Sequence, residues 1–192
     1  MTEKILTDFI DACGARAEGC VPADCVKTIA PLMRDLLKDA DSFLKPEHLR
    51  EDEASYARNL VYEAEDGRLS IFALVWRPGQ WTPVHDHGTW GVVGVLEGAL
   101  EERNYLRCDK DQDRLEGCDR DIDLQRGGVI LMTPGTVTSF VPNPDHIHMT
   151  GVSEDRPRAV SLHLYGRALH DFHVYDPDAG TRKLIQVTQN ES

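Results

Sequence analysis

No stretch of the 192 residues approaches the roughly 20 consecutive apolar residues that a membrane-spanning helix needs. The opening residues, MTEKILTDFIDACGARAEG, lack a basic segment followed by an apolar run of signal-peptide length. Positive charge is scarce: 21 Lys and Arg stand against 33 Asp and Glu, a formal net charge of −12. That shortage argues against nonspecific binding to nucleic acid, which needs clustered cations to displace counterions from phosphates. It argues equally against docking on an anionic membrane surface. Cysteine is sparse, odd in number and unpaired in spacing. Cys13, Cys20, Cys25, Cys108 and Cys118 form no C-x-x-C, so a thioredoxin-like or zinc-ribbon reading has no support. The expectation is reduced thiols in a cytoplasmic protein. There is no internal repeat and no low-complexity linker. What remains is 41% hydrophobic residue, enough for one sizeable core.

The first third reads as helical. Ile5, Phe9, Ile10 and Cys13 recur at helical spacing, and Gly14 and Gly19 mark a break. Val26, Ile29, Met33, Leu36 and Leu37 form a second apolar stripe. Pro31 falls inside it and lacks a backbone donor, so the pattern predicts two consecutive helices with Pro31 in the first turn of the second. Pro46 opens a third, short turn. From about Asn59 the segments become short, β-branched or aromatic, and bounded by turn residues. Strands are predicted over 69–76, within 82–97, and over 101–107, 129–132, 147–152 and 159–165. A charged connection able to form a hairpin covers 109–123, and a tail hairpin is expected around Asp178-Ala-Gly180. Short strands spaced by scattered Gly and Pro indicate a mainly β sandwich or small barrel. The chain is expected to be a single domain over 1–192, with a helical layer over 1–55 and a β-barrel over 56–192.

Histidine placement is the most informative feature. His85 and His87 stand at i and i+2 in Pro83-Val-His-Asp-His-Gly88. On a strand, such residues project to one face, where two imidazoles can chelate one metal ion. An H-x-H pair alone is weak evidence and can serve ordinary loop hydrogen bonds. Here Gly79, Gly91 and Gly98 frame it at the spacing of the first cupin motif, although Gly91 stands where a ligating Glu is usual. A second H-x-H, His146 and His148, follows the turn Gly128-x5-Pro134. The gap to His148 is longer than the simple second motif, and Val152 replaces its closing Asn. Three neutral histidines without a carboxylate leave a divalent site dicationic, which favours anionic substrate ligands and open coordination positions.

Ala159-Val-Ser-Leu-His-Leu-Tyr165 alternates cleanly. Ser161, His163 and Tyr165 share one face, and Val160, Leu162 and Leu164 the other. If the polar face is buried, the three side chains can satisfy one another in a hydrogen-bonded chain that orients the tyrosine hydroxyl. If not, the strand is half-exposed with its polar face in solvent. A serine-hydrolase triad is excluded by the lack of a nucleophile elbow.

Three separated segments together resemble the thiol dioxygenases of the cysteine dioxygenase type. They are Tyr56-Ala-Arg-Asn-Leu60, Val84-His-Asp-His87 with the apolar strand to Gly98, and Arg158-Ala-Val-Ser-Leu-His-Leu-Tyr-Gly166. In the last, His163 follows His148 by fifteen residues. The resemblance implies a cupin (RmlC-like jelly-roll) barrel holding one Fe(II) through His85, His87 and His148, with His146 left as a supporting or loop residue. It implies that Arg58 pairs with the carboxylate of a small thiol-bearing acid, helped by Tyr56. It places Tyr165 near the bound thiolate and dioxygen, with His163 and Ser161 holding its hydroxyl. Iron would lower the thiol pKa, and both atoms of O2 would pass to sulfur as a sulfinic acid. One departure is clear. Animal members carry a cysteine at the Gly91 position, cross-linked to the tyrosine that matches Tyr165. No cysteine lies between Cys25 and Cys108 here, so that cross-link cannot form. L-cysteine is the expected substrate. The alternatives are 3-mercaptopropionate and mercaptosuccinate, the latter using Arg167 as a second cation. From another class, the alternative is a non-catalytic cupin that binds metal or ligand. His170 and His173 are expected to be structural.

Overall fold

The computed structural model describes residues 2–109, 119–142 and 146–187. Three helices open the chain: α1 Thr2–Ala17, α2 Pro22–Lys38 and α3 Ala40–Phe43, followed by a 3-10 turn over Pro46–Leu49. Eleven strands follow among the described residues. They are β1 Ala57–Glu63, β2 Ser70–Trp76, β3 Val84–His85, β4 Gly91–Glu97, β5 Leu100–Arg107, β6 Leu124–Met132, β7 Val137–Phe140, β8 Ile147–Gly151, β9 Ala159–Tyr165, β10 Asp171–Asp176 and β11 Thr181–Gln186.

The helical boundaries correct the expectation. α1 runs through Gly14 and ends before Gly19, whose positive φ of 64° suits a helix stop. Pro22, not Pro31, occupies the first turn of α2, and Pro31 lies in its interior. Two features account for this. Pro31 faces solvent, where water can satisfy the carbonyl it leaves unbonded. The buried stripe Cys25, Val26, Ile29, Met33 and Leu36 spans both sides of it, and its burial outweighs a proline penalty of about 3 kcal/mol.

The strands form two antiparallel sheets, ordered β1-β2-β9-β4-β7 and β11-β10-β3-β8-β5-β6. Phe72, Leu74, Val93 and Val95 of the first pack with Leu100, Met132 and Phe172 of the second, so the sheets face each other across one interior. This is the expected cupin barrel with a helical layer. Helices α1 and α2 cover the outer face of the five-stranded sheet, where Phe9, Cys13, Ile29 and Met33 meet Ile71, Ala73, Leu162 and Leu164. The approach is close at Gly94 of β4, where an added Cβ would lie 2.9 Å from two Leu37 carbons of α2.

This layering buries both faces of β2 and β9, the two adjoining strands of that sheet. The polar face of β9 therefore turns into the barrel rather than to solvent. Two strands, β1 and β7, were not foreseen as strands. β3 is only two residues long, and β6 extends five residues earlier than expected, to Leu124. The tail hairpin forms as β10 and β11. Residues 110–118 of the expected charged hairpin, and Cys118, lie outside the described residues. Cys13, Cys20, Cys25 and Cys108 are free thiols. No described helix is long and apolar enough to cross a membrane.

Candidate active site

β3 and β8 pair so that His85 and His148 are direct cross-strand neighbours. His87 follows just beyond the end of β3, where Asp86 N–H still bonds to the His173 carbonyl at 3.1 Å. The ring centroids lie 4.8 Å apart for His85 and His87, 4.7 Å for His85 and His148, and 5.0 Å for His87 and His148. One nitrogen from each ring falls within 4.8 Å of the others. All three residues are at most 5% exposed. Burial pushes all three imidazoles below their ordinary pKa, His85 and His87 well below it, and keeps their lone pairs free.

The outward-facing nitrogens decide how the rings are aimed. His85 Nδ1 donates to the Pro83 carbonyl at 3.0 Å, which leaves Nε2 as the lone-pair nitrogen. His148 Nδ1 lies 3.1 Å from Glu102 Oε2, and His146 Nε2 stands 3.6 Å from Oε1 of the same carboxylate. Burial alone would raise the Glu102 pKa, but the contacts with His146 and His148 outweigh it and hold the carboxyl well below its usual range. His87 Nδ1 is buried with no hydrogen-bond partner among the described residues. Three neutral imidazoles converging, two of them oriented from behind, fit a divalent transition metal. Glu102, His146 and His148 also lie within ligand reach of one another, but that group shares His148 and its carboxylate is already engaged by the two rings.

The loop carrying the pair is pinned. Asp86, between the two histidines, accepts from the His173 backbone N–H at 3.0 Å and from the Tyr175 hydroxyl at 2.8 Å. Arg167 donates to the His87 carbonyl at 3.1 and 3.2 Å and pairs with the Asp171 carboxylate at 2.9 Å. These contacts engage Arg167 in holding this loop. His170 pairs with Glu63 at 3.0 Å near the surface.

A narrow chamber opens beside the three rings. It leaves about 20 Å³ for the centre of a water-sized sphere, little more than the ~10–15 Å³ that holds one water. Arg58 of β1 lines it and is 8% exposed, so it is not a surface ion-pair residue. Its guanidinium lies 4.4 Å above the Phe72 ring and donates to the Leu169 carbonyl at 3.1 Å. Burial lowers its pKa, and the nearby Tyr165 and Tyr56 phenols only partly offset that. Tyr56 stacks on Trp76 at 4.6 Å and 17°. Ser161, His163 and Tyr165 form the chain that their alternation suggested. Ser161 Oγ lies 2.8 Å from His163 Nε2, and His163 Nδ1 lies 3.2 Å from the Tyr165 hydroxyl. Burial holds His163 down at about 3 and pushes Tyr165 above its usual value. The Tyr165 ring stands 5.3 Å from that of His87, so the chain ends beside the three imidazoles.

Sequence reasoning missed three contributors. Trp76 donates its indole N–H to Ser161 Oγ at 3.0 Å. Glu102 is a buried acid on β5, signalled only by a charge at an inward position. Phe140 of β7 stacks on His87 at 4.4 Å and fills the space over Gly91, and no motif announces it.

Residues 23–178 match the family cysteine dioxygenase type I. Cysteine dioxygenase type 1 of Homo sapiens is 24% identical over 139 residues, covering 71% of this chain and 64% of the human protein. The chain thus spans a little under two thirds of that relative. The protein of the same name from Danio rerio is 25% identical over 165 residues, covering 85% of this chain and 76% of its own length. A solved protein from Klebsiella pneumoniae with a double-stranded β-helix domain is 15% identical, with a TM-score of 0.43 over 73% of this chain and 93% of that one. With its match extending over most of its length, the chain belongs to the cysteine dioxygenase type I family.

Proposed function

We propose that the protein is a non-haem Fe(II) thiol dioxygenase that inserts both atoms of O2 into the sulfur of a small thiol carboxylate, L-cysteine first. The observation that carries this reading is one chamber lined by three neutral imidazoles, one buried guanidinium and one phenol on a buried polar chain. The overall change balances without a co-reactant: a thiolate and O2 give a sulfinate. When bound to His85, His87 and His148, Fe(II) would supply a dicationic face that favours thiolate over thiol, and the redox chemistry that activates O2.

The rest of the work falls to the chain's own side chains. Pro83 and Glu102 fix the two outward nitrogens of His85 and His148. Arg58 offers a planar fork that fits a carboxylate bidentately, in a site dry enough to strengthen the pairing. Tyr56 and Trp76 wall the chamber, and its close lining favours a short thiol over a bulky one. Tyr165 keeps its proton over the working pH range and can donate it as a hydrogen bond at the reacting end.

With Arg167 bound to the His87 carbonyl and Asp171, Arg58 is the one guanidinium lining the chamber among the described residues, which favours a monocarboxylate over mercaptosuccinate. Among the described residues, the chamber lining includes no carboxyl side chain to pair with a substrate ammonium. That observation keeps 3-mercaptopropionate as the second reading. The test is oxygen uptake by anaerobically Fe(II)-loaded protein with L-cysteine, 3-mercaptopropionate and mercaptosuccinate. One O2 consumed per sulfinate formed is expected, fastest with L-cysteine. No uptake with any of the three would leave a non-catalytic cupin.

A further inference from the structure

The hydrogen-bonded chain Trp76, Ser161, His163, Tyr165 has a direction, and its first member sets it. An indole N–H donates and cannot accept. Trp76 Nε1 is 3.0 Å from Ser161 Oγ, so that oxygen is an acceptor at this contact. The Ser161 hydroxyl carries one proton and is fully buried. Its one other partner among the described residues is His163 Nε2 at 2.8 Å, so the proton goes there. A nitrogen that accepts is unprotonated, and burial keeps the His163 ring neutral. The ring proton must then sit on Nδ1, 3.2 Å from the Tyr165 oxygen, which accepts it.

We infer that Trp76 is a positioning residue that fixes His163 as the Nδ1–H tautomer and thereby turns the Tyr165 hydroxyl proton out of the chain and into the chamber. The reverse direction has Tyr165 donating to Nδ1 and Nε2–H donating to Ser161. It would leave the buried Ser161 proton with no acceptor among the described residues, because Trp76 cannot serve as one. Register supports the arrangement. Leu74 pairs with Ser161 across β2 and β9, so Trp76, two residues on, lies on the same inward face. Tyr56, stacked on the indole, holds it there. The tautomer follows from this geometry alone. Its consequence, a tyrosine that meets substrate as a hydrogen-bond donor, rests on the dioxygenase reading.

The tautomer is readable without turnover. In 15N-histidine-labelled, Zn(II)-loaded protein, two-bond 1H–15N spectra separate Nδ1–H from Nε2–H rings. The expected result is Nδ1–H for His163 in the unaltered protein. Trp76→Phe keeps the stacked ring but removes the donor. Ser161→Ala keeps Trp76 and removes the link, and it decides the matter if Trp76→Phe does not fold. In both, the exclusive Nδ1–H population should be lost. In the Fe(II) enzyme Trp76→Phe should lower kcat about 5-fold, the worth of one ordinary hydrogen bond, with KM little changed. A wild-type His163 protonated on Nε2, or a tautomer that both substitutions leave unchanged, overturns the inference. An Nδ1–H ring in a protein that consumes no O2 upholds it and sinks the dioxygenase reading instead.

Discussion

Adding one methyl group at position 91 should destabilise the protein, although the same change often stabilises. Gly91 has an ordinary backbone conformation, so Gly91→Ala introduces no strain in φ. Reduced freedom of the unfolded chain would then favour alanine by about 0.4–1 kcal/mol. The structure predicts the opposite sign. A Cβ at 91 would lie 2.3 Å from Phe140 Cζ, and 2.8 and 2.9 Å from the two Cε atoms. An ordinary contact needs about 3.4 Å, so the ring must retreat by roughly 1 Å. It has little room, because it stacks on His87 at 4.4 Å and on His146 at 4.5 Å. Overpacking of this kind costs about 1–3 kcal/mol. In a chain of this length each kcal/mol lowers Tm by about 2–4 °C. The assay is a double-mutant cycle of Gly91→Ala and Phe140→Leu, followed by thermal and urea melts of the metal-free protein. The pair should be less destabilised than the sum of the single changes, since the smaller side chain admits the methyl. Metal affinity should fall in Gly91→Ala, because the displaced ring pushes on His87. A Gly91→Ala variant that melts at or above the wild-type temperature, or a strictly additive cycle, would refute the reasoning. By the same geometry a cysteine at 91 finds no room until Phe140 is cut down.

Three further outcomes are expected. Glu102→Gln keeps the side-chain shape and loses the charge behind His148, and should weaken metal binding about 10-fold in a chelator-competition titration; unchanged affinity would remove Glu102 from the site. Arg58→Ala should raise KM about 10–100-fold with a smaller change in kcat, the worth of a charge-assisted carboxylate pairing, and Arg58→Lys should recover only part of it; steady-state oxygen uptake reads both. His163 is held at about 3 in the fold, while an unfolded histidine titrates near 6.5. The unfolded state therefore binds more protons between those values. Its contribution to stability is present above pH ~6.5 and is lost as pH falls, by about 1.4 kcal/mol per pH unit below that. Urea midpoints of the metal-free protein at pH 7.5 and 5 should differ in that sense, and less in His163→Phe.

The parts of the site that the sequence revealed are those built from neighbours along the chain. His85 and His87 are separated by one residue and framed by glycines, and Ser161, His163 and Tyr165 alternate on one strand. Strand alternation states which residues share a face, but the polar face of β9 is buried only because the helices cover Leu162 and Leu164 on the other side and turn it into the barrel. The helix over Pro31 was misread because a local rule about proline was set against a buried stripe whose burial only tertiary packing decides.

The wiring behind the site was illegible for a different reason. Trp76 meets Ser161 across 85 residues of chain, and Arg167 reaches the His87 carbonyl across 80. Each contact depends on which strand lies beside which, and alternation within a strand carries no information about its neighbour. The consequence reaches the chemistry. From Ser161, His163 and Tyr165 alone, the chain can run in either direction, and Tyr165 is equally a donor or an acceptor toward whatever enters the chamber. Only a donor-only group brought in from β2 breaks that symmetry. The roles of the residues most visible in the sequence are therefore set by a tryptophan that the sequence marks only as the end of a strand.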